Sequence, residues 1–304
     1  MRPFDLQVNG YAGADFCSSS LTADELQTAC ETLKRDGVDR ILATVITDTV
    51  DALVNKLSNL VRLREESTLA QDVIAGVHIE GPFLNSTAGY IGAHPPEAVL
   101  PANINDMKRL LDAAAGLTRI VTLAPEQDPS GATIRMLTNL GVTVAAGHCN
   151  PSMQQLQNAI DSGLSMVTHF GNGCPVQLPR HDNVLQRFLA CRNDLWVSFI
   201  PDGAHVSFYA LRNYLDLVGI DRAVMVTDAI SAATLQPGLH EVSGITVEVD
   251  VHGVARRPGS QNLAGSTITM PEVQTNLREQ LGLDETEICR LIDKNPRQAV
   301  GTES

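Results

Sequence analysis

The chain has 304 residues, 43% hydrophobic and 19% charged, enough to bury one large core and slightly more than the length at which single cores usually stop growing. Thirty-five acidic residues stand against 22 basic ones, a formal net charge of −13 with no Lys/Arg-rich run, which argues against a nucleic-acid footprint or a polybasic membrane patch. No stretch approaches the ~20 continuous apolar residues of a membrane span, and the opening MRPFDLQVNG lacks a charged-then-apolar leader, so a cytoplasmic protein is expected.

Along the chain, apolar runs rich in β-branched residues alternate with segments of helical period, the pattern of βαβ units in a parallel sheet. Strands are expected near 4–9, 39–46, 73–79, 118–123, 142–147, 164–169, 194–200 and 222–228. Helices are expected after Thr22 with Gly37 as the stop, from Asp51, Asn105 and Ser130, after Pro151-Ser152, and from His205 to about Val218. Eight strands, scarce aromatics (4%) and abundant aliphatics predict an α/β fold, a (β/α)8 TIM-type barrel, with 1–304 as one domain.

Two segments depart from the plain repeat. Residues 80–103, rich in Gly and Pro, are too long for a simple connection and suggest an active-site loop over the barrel mouth. Residues 233–262 alternate apolar and polar side chains and predict a β-hairpin insertion. Residues 271–300 read as C-terminal helices. The six cysteines (Cys17, Cys30, Cys149, Cys174, Cys191, Cys289) show no C-x-x-C spacing, so reduced thiols are expected rather than disulfides or a structural zinc site.

Several apolar runs end in a polar group: Gln7-Val8-Asn9, Glu80 in GVHIEGPF, His148 in VAAGH, His169 in MVTHF, His205 in PDGAH and Asp228 in VMVTD. In a (β/α)8 barrel such residues converge on one mouth although distant in sequence. Glu80, His148 and His169 would form a one-carboxylate, two-imidazole set suited to a single zinc ion, with iron, cobalt or manganese as alternatives. Singly, each residue also fits a structural role; the joint pattern at strands three, five and six favours a metal. Asp228 either takes a proton from an attacking water and returns it to a leaving amine, or N-caps the next segment. His205 either bonds a carbonyl oxygen as charge develops on it, or caps its own helix. Neither G-x-S-x-G nor a Gly-Lys pair occurs, so a serine nucleophile elbow and a phosphate loop are excluded.

The segments LQVNGYAGADF (6–16), GVHIEGPF (76–83), GAHPP (92–96), TLAPE (122–126), AAGH (145–148), THFGNG (168–173), DGAHV (202–206), VTDA (226–229), LAGSTITM (263–270) and KNPRQAVG (294–301) together resemble the N-acetylglucosamine-6-phosphate deacetylase family of the amidohydrolase superfamily. The resemblance implies a barrel of the metal-dependent hydrolase kind and hydrolysis of an N-acetyl amide on a 6-phosphorylated amino sugar. It implies metal ligation by Glu80, His148 and His169, acid/base catalysis by Asp228, and contact of His205 with the sugar and the amide carbonyl. Asn172, Gly173 and His94 fall at substrate-side positions. Arg180 falls near a phosphate-binding arginine that the family supplies from the partner subunit, which implies a homodimer with a shared site. Gln7 and Asn9 stand where many amidohydrolases carry His-x-His, which implies one metal rather than two.

Three departures accompany the resemblance. The family's small β-sandwich is not expected here, making this a short form. LPRHDN surrounds Arg180 where R-E-P-G is usual, and Gly173-Cys174 replace the more usual Ala-Met. The last two touch recognition, so the reaction type is better fixed than the sugar. The alternatives are an amidohydrolase acting on another N-acyl amino sugar or a cyclic amide and, outside enzymes, a sugar-phosphate sensor on a decayed barrel.

Overall fold

In the computed structural model, eight short strands pair in parallel in chain order: β1 Phe4–Val8, β2 Arg40–Ile46, β3 Ile74–Glu80, β4 Thr118–Leu123, β5 Thr143–Ala146, β6 Leu164–Val167, β7 Trp196–Phe199 and β8 Ala223–Met225. The structure describes residues 1–260 and 262–302; Gln261 of the expected 233–262 insertion, and Glu303 and Ser304 of the 1–304 domain, lie outside the described residues. The strands are buried on both faces and rich in Val, Ile, Leu and Ala, which is why they read as nearly continuous apolar runs.

The barrel is a nearly closed one, joined from β8 back to β1. Asp228 N donates to Gln7 O at 2.9 Å, Asn9 N to Ala229 O at 2.7 Å, and Val8 bridges Ala229 in parallel register. Beneath that seam lies Asp5, whose carboxylate accepts from Thr227 Oγ1 at 2.6 Å and from the Thr227 and Gln7 amides at 3.2 Å. Burial nevertheless pushes its carboxyl up to about 7.

A folded-state value above the unfolded 3.8 means that the folded chain binds the proton more tightly. The stability that Asp5 contributes is therefore full below about pH 4 and lost as pH rises through about 7. Against Asp5→Asn, which cannot titrate, the wild type should lose on the order of 3 kcal/mol between pH 5 and 8 in urea unfolding; a pH-independent difference would show that Asp5 is ionised throughout.

Helices separate the strands, and side-chain caps set their starts. Thr22 and Glu25 form a capping box on Ala23–Arg35, Asn103 caps Ile104–Ala113, and Ser152 with Gln155 boxes Met153–Asp161. Leu26, Ala29, Cys30 and Leu33 of the first helix face the barrel, the i, i+3, i+4, i+7 stripe of a helix packed on a sheet. The helix expected from His205 starts instead at Phe208 and runs to Val218. Asp202 Oδ1 accepts from the amides of Ala204 and His205 at 2.9 and 2.8 Å, holding those residues in a turn ahead of the helix.

The insertion after β8 is more than a hairpin. Gly238–Val242 (β9) and Ile245–Val249 (β10) pair antiparallel, and Ala255–Arg256 (β11) adds a third strand. Val242, Val247, Val249 and Ala255 give this sheet its own small core with Ile230 and Ala264. Helices at Met270–Glu279 and from Glu285 to Ala299 close the described chain. All six cysteines are unpaired thiols. Among the described residues, no helix is long and apolar enough to cross a membrane.

Candidate active site

Glu80 is the last residue of β3, while His148 and His169 each lie two residues past the ends of β5 and β6 and Asp228 three past β8. The strands expected to run through 169 and 228 stop at Val167 and Met225 because the backbone turns left-handed at these positions. The φ angles are +49° at His148, +33° at His169 and +50° at Asp228. Outside glycine that conformation costs roughly 1–3 kcal/mol and persists where surrounding structure imposes it, often at functional sites. Here it swings three side chains off the barrel wall into the mouth.

Three ligand atoms meet there. Glu80 Oε1 lies 2.9 Å from His169 Nε2 and 3.3 Å from His148 Nε2, and the two Nε2 atoms are 3.1 Å apart. Two atoms each bound ~2.0–2.1 Å from one tetrahedral ion lie about 3.4 Å from each other, so this spacing is close to that of a filled site. His148 Nδ1 donates to Tyr90 O at 2.8 Å, which fixes the ring with Nε2 directed at a carboxylate and a second imidazole.

The cluster calls for positive charge. Although burial pushes Glu80 up, hydrogen bonds from His148 and His169 hold its carboxyl well below the usual range. Although burial pushes His169 down, its bond to Glu80 and the charges of Glu80 and Asp228 raise it. Glu80, His148 and His169 thus fit a divalent ion.

The loop after β3 completes the wall. It passes over His148 so closely that a Cβ on Gly92 would lie 2.8 Å from His148 Cε1, and one on Gly173, from the loop after β6, 2.9 Å from Nδ1; both glycines are also left-handed. His94 from the same loop is buried, with Nε2 3.2 Å from His148 Nε2 and Nδ1 2.9 Å from Thr47 Oγ1. Burial, together with the charge of His148, pushes His94 down to about 3, so it is a neutral ring. Glu126 ties the loop down by accepting from Asn85 Nδ2 at 2.8 Å and Asn150 N at 2.5 Å.

Gln7 and Asn9 attach to the two carboxylates. Gln7 Nε2 donates to Glu80 Oε2 at 3.1 Å, and Asn9 Nδ2 donates to Asp228 Oδ1 at 2.6 Å. Burial and the nearby charge of Glu80 push the Asp228 carboxyl up to about 6 against the lowering effect of His169, His205 and Asn9. His205, on the loop after β7, donates from Nδ1 to Asp202 Oδ2 at 2.6 Å.

No family model matches the chain. It is 29% identical over 299 residues to N-acetylglucosamine-6-phosphate deacetylase of Bacillus subtilis (strain 168), covering 98% of this chain and 74% of the relative. It is 28% identical to N-acetylgalactosamine-6-phosphate deacetylase of Escherichia coli O157:H7, covering 98% and 77%. The solved structure of a mutant N-acetyl-D-glucosamine-6-phosphate deacetylase from Mycobacterium smegmatis, in complex with N-acetyl-D-glucosamine-6-phosphate, superposes with a TM-score of 0.89 at 30% identity over 99% of this chain and 77% of that one. The chain belongs to the N-acetylglucosamine-6-phosphate deacetylase family.

In this deacetylase-family barrel the residues expected at the substrate are less gathered than Glu80, His148 and His169. Asn172 stays near the cluster, its Nδ2 donating to His169 O at 3.2 Å. Arg180 is exposed on the loop between β6 and Val184–Ala190. The neighbouring Asp182 pairs with Arg187 at 2.7 Å.

Sequence reasoning missed the carbonyl of Tyr90, the hydroxyl of Thr47 and the carboxylates of Glu126 and Asp202. It also missed His78, buried in the barrel between Leu6 O at 3.2 Å and Thr122 Oγ1 at 2.7 Å. The i, i+2 spacing of His78 and Glu80 on one strand was the available signal.

Proposed function

We propose that the protein hydrolyses the N-acetyl amide of N-acetylglucosamine 6-phosphate to glucosamine 6-phosphate and acetate, using one divalent ion, zinc in this reading, held by Glu80, His148 and His169. The observation that carries the reading is the convergence of Glu80 Oε1 and two imidazole Nε2 atoms within 2.9–3.3 Å in a family of amide-hydrolysing barrels. When bound, the ion supplies Lewis acidity and makes water a nucleophile near neutral pH.

The chain's own residues do the rest. Asp228, aimed by Asn9, takes the proton of the attacking water and returns it to the leaving nitrogen. His205 bonds the amide oxygen as it gains charge. His94, Asn172, Gly173, Gln7 and Asn9 line the substrate side, and Asn9 Oδ1, buried without a partner, leaves an acceptor there. Glu80 accepts from Gln7 through Oε2 and keeps Oε1 for the ion, an orientation that makes ligands more effective.

In a chain of net charge −13 the phosphate needs a local cation. The exposure of Arg180 supports a homodimer in which Arg180 of each subunit completes the other's site. The unpaired thiols support a cytoplasmic location, since a reducing compartment keeps them so.

Acetate release from phosphorylated and plain N-acetylglucosamine tests the substrate. One charge-assisted contact at about 1.5–3 kcal/mol corresponds to roughly 10–150-fold, so kcat/KM should favour the phosphorylated sugar by that factor and Arg180→Ala should erase the preference. Equal rates on the two sugars would overturn the assignment. The near-equal similarity to an N-acetylgalactosamine-6-phosphate deacetylase makes the 4-epimer the comparison substrate.

A further inference from the structure

The pair formed by Asp202 and His205 has chemistry that neither the metal cluster nor Asp228 explains. Asp202 divides its two oxygens between two tasks. Oδ1 accepts from the amides of Ala204 and His205 at 2.9 and 2.8 Å, an Asx turn that holds the loop. Oδ2 is left for the ring and lies 2.6 Å from Nδ1, the short distance of a charge-assisted bond. Both side chains are mostly buried, at 8% exposure for His205 and 14% for Asp202, so solvent screens the pair little.

A neutral imidazole carries one proton. If Nδ1 spends it on Asp202, Nε2 can only accept, and an acceptor cannot stabilise an oxyanion. Nε2 donates only when the ring holds two protons, a state for which the carboxylate at Nδ1 is the counter-ion. Among the described residues no protein group bonds Nε2, and that atom is not sealed from solvent. Asp202 faces the ring from its own loop, and Asp228 after β8 also feels it, the charge of His205 lowering the Asp228 carboxyl. Asp202 in turn is raised by burial but brought below its ordinary value by the bond and charge of His205 and by the two amides.

We propose that Asp202 is the positioning residue of His205: its carboxylate fixes the ring through Nδ1 and supplies the counter-charge that keeps a proton on Nε2 for the substrate's amide oxygen. The identity of that oxygen rests on the deacetylase reading; the protonation of the ring does not.

The test uses the metal-loaded enzyme with 15N-labelled histidine, the His205 signals being identified by their loss in His205→Gln. At pH 7.5 both ring nitrogens of His205 should give the resonances of protonated nitrogen. Asp202→Asn retains an oxygen for the two backbone amides while removing the charge, so its circular dichroism should match the wild type while His205 becomes singly protonated. Its kcat for acetate release should fall about 10–100-fold with KM within about twofold, the signature of a transition-state contact. A wild-type ring with an unprotonated Nε2 would overturn the proposal, as would an Asp202→Asn ring that stays doubly protonated or an unchanged kcat. If neither protein releases acetate from the phosphorylated sugar, the substrate reading fails, and the ring nitrogens still decide the role of Asp202.

Discussion

Glu80→Gln should purify with less than a tenth of the wild type's bound metal and release acetate at least ~10³-fold more slowly, the several kcal/mol that a metal supplies in charge stabilisation and water activation. The substitution is isosteric and removes one negative charge from a buried position between two imidazoles. The fold should persist, because the amide oxygen still accepts from Gln7 and the surrounding strands are unchanged. Affinity should not persist, since a neutral amide is a far poorer ligand for a divalent ion than a carboxylate. Elemental analysis of the two purified proteins, with far-ultraviolet circular dichroism as the folding control, measures this directly. Chelation of the wild type followed by addition of zinc should remove and restore turnover in parallel. A Glu80→Gln protein with full metal content would take Glu80 out of the ligand set and leave the cluster without its anchor.

The part of this site that was legible in the sequence is the part carried by strands. A strand buried on both faces appears as an apolar run, and a polar residue where the run ends stands out; Glu80, His148, His169 and Asp228 were visible for that reason. What the runs concealed is how they end. Nothing in a histidine or aspartate side chain announces a left-handed backbone, so β6 and β8 looked two and three residues longer than they are.

Loop residues were legible only as types. His94 drew notice as a histidine, but its approach to His148 depends on a loop held by Glu126 across forty residues of sequence, a contact with no period to reveal it. Tyr90 orients His148 through a backbone carbonyl, a group that every residue type possesses. The third strand of the insertion, Ala255–Arg256, is too short for alternation to show. In Asp202 the signal was in plain view within DGAH, three residues before the histidine it holds, and the missing inference was that a ring nitrogen needs a partner.

Asp228→Asn should separate proton transfer from metal binding. Asp228 stands apart from the three-atom cluster formed by Glu80, His148 and His169, so metal content should stay at the wild-type level. The amide can still accept from Asn9 Nδ2, preserving position while removing basicity, and kcat should fall ~10²–10⁴-fold. The pH dependence follows from the same environment. Burial and the charge of Glu80 place this carboxyl at about 6 in the metal-free protein, and a divalent cation beside it moves the value down. In the proposed mechanism the ionised form is the active base, so kcat/KM of the wild type should fall as pH drops through a value at or below about 6. The residual rate of Asp228→Asn should lack that acid limb. Steady-state acetate release from pH 4.5 to 8 on metal-saturated protein checks both statements. An acid limb that survives in Asp228→Asn would assign it to another group, and an unchanged kcat would remove Asp228 from the chemistry.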